Sequence, residues 1–195
     1  MIRHFTTLCK TSLKYLSDEM TFEETTKEYR PYNESCPKCG AKGKITTYGY
    51  YKRFLVSIEE QRPKETKIKP LRFKCSSCKA THALLPANLI PYSSYSLRFK
   101  LIVLIAYFER TTSVVEVCAN YSIAVSTLYC WKHKLLEHKE LLLGELINRK
   151  TSSLDFIWDL FSTWNFVEKL KDFFGKHGFS FMQNLAITTT RSISP

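Results

Sequence analysis

Two cysteine pairs, Cys36-Pro-Lys-Cys39 and Cys75-Ser-Ser-Cys78, constrain this chain more than any other feature. A Cys-x-x-Cys turn presents two thiolates to one point, and two such turns supply the four sulfurs of a tetrahedral structural zinc. The spacing therefore predicts a four-cysteine zinc ribbon over residues 31–86, with Zn2+ as cofactor on Cys36, Cys39, Cys75 and Cys78. Gly40 follows the first pair, where a positive φ carries no Cβ penalty, and Lys79 holds the equivalent place after the second. Thirty-five residues lie between Cys39 and Cys75, against ~15–20 in shorter arrangements, so a long hairpin is expected between the pairs. The alternative, four cysteines buried as small apolar residues or joined in disulfides, requires an oxidising compartment in its second form.

With 195 residues and 44% hydrophobic content, the chain suits one compact domain or two small ones. Met1 to Leu16 lacks a continuous apolar run. The longest such run, Leu101 to Phe108, has eight residues, far below the ~20 that span a bilayer. The expectation is a soluble cytoplasmic protein with no membrane partner, in which Cys9, Cys118 and Cys130 are reduced, mostly buried thiols. The formal charge of +11 is uneven: residues 36–79 carry twelve Lys/Arg against three Glu, whereas residues 96–150 carry eight against five. A basic, metal-stapled module points to a polyanion, with double-stranded DNA the expected partner. A lysine-rich face that is merely solvated is the competing explanation.

Along the chain, Phe5, Leu8, Leu13 and Leu16 recur at helical intervals and Thr21 with Glu24 forms a capping-box pattern, so residues 1–30 are expected to be helical. Phe54, Val56 and Ile58, then Leu71 and Phe73, alternate as strands, with the polar Glu59–Thr66 segment between them as a hairpin tip. Lys64, Lys67, Lys69, Arg72 and Lys74 then line one arm, within reach of phosphates. Tyr48, Tyr50 and Tyr51 are expected as core or strand filler rather than base-stacking groups. His82 is expected to hydrogen-bond a thiolate or the backbone, with direct metal ligation as its alternative. Pro86 to Pro91 is expected to be an extended linker.

From Ser93 the pattern turns helical, with Leu97, Leu101, Leu104, Ile105 and Phe108 on one face and Arg98, Lys100, Glu109 and Arg110 flanking it. Ser113 and Glu116 form a capping box for a short helix bearing Val114, Val117 and Cys118. Asn120-Tyr121-Ser122 ends it, and a third helix runs from near Ala124 to Gly144. Two helices joined by a three- to four-residue turn behind a packing helix make a helix-turn-helix over residues 92–144. Val125, Ser126, Thr127, Tyr129, Lys132, His133 and Lys134, with Cys130, then lie on or near its outward, DNA-facing side; an ordinary three-helix bundle is the alternative. The first turn offers no Arg, Asn or Gln for the common bidentate base contacts. Residues 151–183 form aromatic helices, with Gly175 as the expected stop of a helix from Ser153 to Phe174 and a short final helix at Phe179–Met182. They either pack onto the preceding helices or offer a protein partner or a second copy of the chain a surface. Residues 184–195 form a fraying tail.

The segments CPKCG, RFKCSSCKATHALLP, Pro91-Tyr-Ser93 and VVEVCANYSIAVSTLYCWKHKL resemble the zinc-ribbon and helix-turn-helix region of insertion-sequence transposases, and more closely the small bacterial proteins built from that region alone. The resemblance covers residues 31–143. It implies an α+β fold, a small β zinc ribbon followed by a mainly α helix-turn-helix bundle. It also implies zinc on the four cysteines and a DNA-facing helix over about Ala124 to Lys134, with Ala124 in place of the usual Ser or Thr cap. A full transposase adds three metal-binding carboxylates. Here Asp155, Asp159, Glu168 and Asp172 recur at helical spacing as a solvated face, so no catalytic residues are expected. The resulting expectation is a zinc-dependent DNA-binding accessory or regulator of mobile-element origin. The alternatives are a protein-interaction adaptor using the ribbon and the aromatic C-terminal helix, and a truncated transposase remnant.

Overall fold

The computed structural model describes residues 2–4, 29, 34–144, 151–162 and 166–184. The fold is α+β: strands β1 (Ile2–His4), β2 (Ile45–Tyr50), β3 (Arg53–Glu59), β4 (Arg62–Ile68), β5 (Leu71–Cys75) and β6 (Thr81–Pro86) precede helices α1 (Leu97–Glu109), α2 (Val114–Asn120), α3 (Val125–Leu143), α4 (Ser153–Ser162) and α5 (Phe166–His177). One sheet has the order β1-β6-β5-β2, and β3 with β4 forms a separate two-stranded hairpin. Residues 2–4 are thus a strand, parallel to β6, where a helical segment was expected. The remainder of the expected N-terminal helices and the tail beyond Asn184 lie outside the described residues.

The long interval between the cysteine pairs is filled by two nested ladders rather than one hairpin. β2 returns to β5 with Ile45 opposite Cys75, and the β3–β4 hairpin is inserted between them. Its tip is only Glu60 and Gln61, both at positive φ, the two-residue geometry whose twist matches the flanking strands. The polar stretch expected as a broad tip is therefore strand β4. Pro63 is tolerated there, opposite Ile58, because β4 is an edge that makes no second ladder. Segment 86–91 is likewise no free linker: Ala87, Asn88, Leu89 and Ile90 are all buried, and Leu89 bridges Ser96.

The helices begin and end where local chemistry dictates. Ser96 caps α1 by accepting the Phe99 N–H, and Ser113 with Glu116 makes a reciprocal capping box on α2. Tyr121 to Ala124 turn the chain into α3, which ends at Gly144. The C-terminal pattern divides into α4 and α5. Gly175 lies inside α5 rather than ending it, and the stop is Gly178 at φ +73°, whose N–H reaches the Phe174 carbonyl at 2.8 Å. Phe181 and Met182 lie in a buried turn, not a final helix.

The main core is helical. Phe99, Leu101, Leu104, Leu128, Trp131, Leu135, Phe156, Ile157 and Leu160 join into one cluster that Ile58 of β3 enters from below. Each such side chain contributes about 1.5–3 kcal/mol of burial. Tyr95 packs against it half-buried, with ring centroids 4.8 Å from Trp131 and 5.4 Å from Phe99. The ribbon has its own small core of Tyr29, Ile45, Leu71, Phe73 and Leu84, in which Cys36 and Cys75 are themselves members.

Candidate metal centre and nucleic-acid interface

The two cysteine turns are built alike. In the first, the Gly40 N–H donates to the Cys36 carbonyl at 2.8 Å and the Cys36 N–H to the Ala41 carbonyl at 3.0 Å; in the second, Lys79 N–H reaches Cys75 O at 3.0 Å and Cys75 N–H reaches Ala80 O at 2.9 Å. Gly40 at φ +72° and Lys79 at φ +61° both take the left-handed conformation that the turn needs, so Lys79 bears a strain that Gly40 does not. The Ser76 N–H, 2.8 Å from the Lys44 carbonyl, ties one turn to the other.

These turns bring four sulfurs together. The Sγ atoms of Cys36, Cys39, Cys75 and Cys78 all lie within 4.8 Å of one another, a set able to hold a metal ion. Cys36 to Cys78 is 3.7 Å and Cys39 to Cys75 is 3.8 Å, far beyond the ~2.05 Å of a disulfide. His82 Nε2 lies 3.3 Å from Cys36 Sγ and outside that four-sulfur set. Burial pushes the Cys36 thiol up, but hydrogen bonds from the Cys39 and Lys38 backbone and from His82 outweigh it and bring it down to about 5. At Cys78 a hydrogen bond from the Ala80 backbone acts downward, yet burial and the crowding of the other three thiols carry it up to about 11. Four thiols this close cannot all ionise without a compensating charge. A bound cation removes that conflict by stabilising all four as thiolates.

The basic residues expected along one arm fall on different surfaces. Arg72 and Lys74 project from β5 beside Tyr48, their cationic groups 5.6 and 5.2 Å from its ring centroid. Lys67 belongs to the β3–β4 hairpin and sits 5.2 Å from the Phe54 ring, Lys64 pairs with Glu59 at 2.6 Å, and Lys69 is exposed between β4 and β5. Tyr48 and Tyr50, expected as filler, are 55% and 64% exposed. The β2–β5 ladder is irregular between Thr47 and Gly49, which interrupts regular alternation beside Tyr48. The missed signal was Gly49 itself, since an isolated glycine in a strand marks a bulge.

On α3, Val125, Ser126, Tyr129, Cys130 and His133 are exposed, while Thr127, Lys132 and Lys134 are half-buried. Lys132 lies over the Tyr107 and Tyr129 rings, and Lys134 pairs with Glu137 at 2.6 Å. The outward side thus carries hydroxyls and rings, with its cations already engaged. Among the acidic residues, Asp155 accepts from Ser152 at the start of α4, and Asp159 pairs with Lys169 of α5 at 3.0 Å.

Residues 36–131 match the family model of a domain of unknown function, DUF6431. The DUF6431 match starts on the first cysteine of the cluster and ends on Trp131 within α3, so it takes in the four sulfurs, strands β2 to β6, helices α1 and α2 and the first turns of α3. No curated protein and no solved structure matches the chain. Among the described residues, no helix is long and apolar enough to cross a membrane.

Proposed function

We propose that this chain is a zinc-dependent DNA-binding protein of mobile-element origin, an accessory or regulator without catalysis of its own. The observation that carries this reading is the four-sulfur cluster at one end of a basic, aromatic sheet face. A tetrahedron of thiolates at the usual Zn–S distance of ~2.3 Å has edges of about 3.8 Å, and two of the sulfur pairs are 3.7 and 3.8 Å apart, with all four within 4.8 Å of one another. His82 then acts by hydrogen-bonding the Cys36 sulfur, an outer-shell role that orients a ligand. When bound, zinc supplies a cross-link between the two cysteine turns and, through Cys75, the end of β5. The chain's own residues supply the contact with DNA.

In this reading affinity and selectivity reside on different elements. Arg72 and Lys74, with Lys67 and Lys69, meet phosphates. The helix-turn-helix formed by α2 and α3 presents Ser126, Thr127 and Tyr129 to the duplex, none of which makes a bidentate base contact, so sequence preference is weak. The mobile-element connection rests on the resemblance of the cysteine and α2–α3 segments to the transposase region. Trp158, half exposed on α4, gives the adaptor reading its one foothold.

Fluorescence anisotropy of the metal-loaded protein with labelled duplex DNA over a salt series tests the reading. Log affinity should fall linearly with log salt. Changing Lys67, Lys69, Arg72 and Lys74 together to Ala should flatten that slope by about 0.9 for each phosphate no longer neutralised. Ser126→Ala with Tyr129→Ala should leave the slope unchanged and reduce discrimination between sequences. Salt-insensitive or absent duplex binding would refute the reading and leave the adaptor.

A further inference from the structure

A cavity of about 420 Å³ opens at the foot of α3, between its first turns and the loop at residues 91–95. Its wall includes Ser94, Lys100, Ser126, Thr127, Cys130 and Trp131. Lys100 was expected on the solvent flank of α1, yet it is 2% exposed and among the largest fully buried side chains. Its Nζ has one acceptor, the Met182 carbonyl at 3.3 Å, and lies 5.5 Å from the Trp131 ring centroid. An ammonium has three donors, and the described residues place no carboxylate against this one. Burial lowers its pKa to about 8, a shift that Cys130 opposes and Arg53 reinforces. Buried charges in proteins are ordinarily paired, because an isolated one is costly.

The other side of the cavity has the same polarity. α3 begins at Ala124 without a side-chain cap and without an acidic residue in its first turn. Its partial positive charge is therefore uncompensated, and Ser126 and Thr127 add two hydroxyls. We infer that this cavity is a phosphate-binding pocket, in which Lys100 supplies the charge while the Ser126 and Thr127 hydroxyls and the Val125 and Ser126 N–H groups supply the hydrogen bonds, the Thr127 N–H being already engaged by the Ala124 carbonyl at 3.0 Å. Two sources fit, a free phosphate or phosphate ester and a phosphate of a nucleic-acid backbone. Only the second rests on the DNA-binding reading.

The test uses the metal-loaded full chain and inorganic phosphate. Thermal unfolding is followed over a phosphate series with ionic strength held constant by chloride. The midpoint should rise with phosphate beyond the chloride control, as for a ligand that binds only the folded state. Lys100→Met, which keeps the volume and removes the charge, should weaken phosphate by about ten- to hundredfold. Should that variant fail to fold, Ser126→Asp serves instead, since it adds a carboxylate to the same cavity from an exposed position that helices favour; it should abolish the response. Phosphate acting no better than chloride, or a folded variant keeping the full response, overturns the pocket. Phosphate displacing labelled duplex more than matched chloride does, an effect absent in the variant, assigns the site to the DNA backbone. Saturable binding without displacement assigns it to a free phosphate and leaves duplex binding to be judged separately.

Discussion

The ribbon and the helical bundle solve the same problem with unequal means. Among the described residues, the helical cluster buries 24 side chains, while the strand region has two small clusters, one of seven that includes two cysteines of the metal set and one of four. Cores that small do not offset the conformational entropy of the strands around them, and small modules in this position depend on a metal or disulfides. The bundle holds itself together by packing. On the metal-binding reading proposed above, one region is conditional on an ion and the other is not, although they share a chain and meet where β3 packs on α1.

Losing the ion should give the largest effect. Native mass spectrometry should find one zinc in the wild-type protein and none held tightly by Cys75→Ser. The lost binding free energy is on the order of 10 kcal/mol, and it should unfold β2, β5 and β6 while leaving the helical signal. Next comes the opposite perturbation: Phe99→Ala opens a cavity beside Tyr95, Tyr121 and Trp131 and should cost about 3–5 kcal/mol in chemical denaturation. Zinc content should be unchanged.

A third effect belongs to the bundle alone. His138 is fully buried; its Nδ1 accepts the Met182 N–H at 2.8 Å, and its ring faces Phe173, Phe179 and Phe181. Burial, aided by Lys134, His177 and Lys100 and opposed by Glu137, lowers its pKa to about 4 from 6.5. Between those values the unfolded chain binds the proton and the folded chain does not. The stability held above pH ~6.5 should therefore drain away toward pH ~4, by ~3 kcal/mol. Urea titrations across this range should show that slope in the wild type, and His138→Leu should remove it. The smallest effect compares the two cysteine turns: Lys79→Gly relieves a positive φ that Gly40 already accommodates, and should stabilise the ribbon by up to about 1 kcal/mol.

Much of this was legible in the sequence because the signals were local. The four cysteines, the Ser113–Glu116 box, the α2–α3 turn and the limits of α3 all follow from spacings within a few residues. What sequence reasoning misplaced depended on pairing between distant segments. β4 is polar and contains Pro63, and only its ladder with β3 makes it a strand. Lys100 looked like a solvent-facing cation because its helical neighbours satisfy the apolar stripe without it; its burial arises from Met182, 82 residues away. His138 continues the buried stripe of Leu128, Trp131 and Leu135 by one further step, a placement that periodicity allowed but residue type discouraged.

Hydrogen–deuterium exchange on the full chain, before and after chelation of the metal, measures the asymmetry between the two regions most directly. The amides of β2, β5 and β6 should lose protection by orders of magnitude on chelation, and those of α1 and α3 should keep theirs. Unchanged protection in the ribbon, or loss spread equally over strands and helices, would contradict a metal-held ribbon beside a self-sufficient bundle.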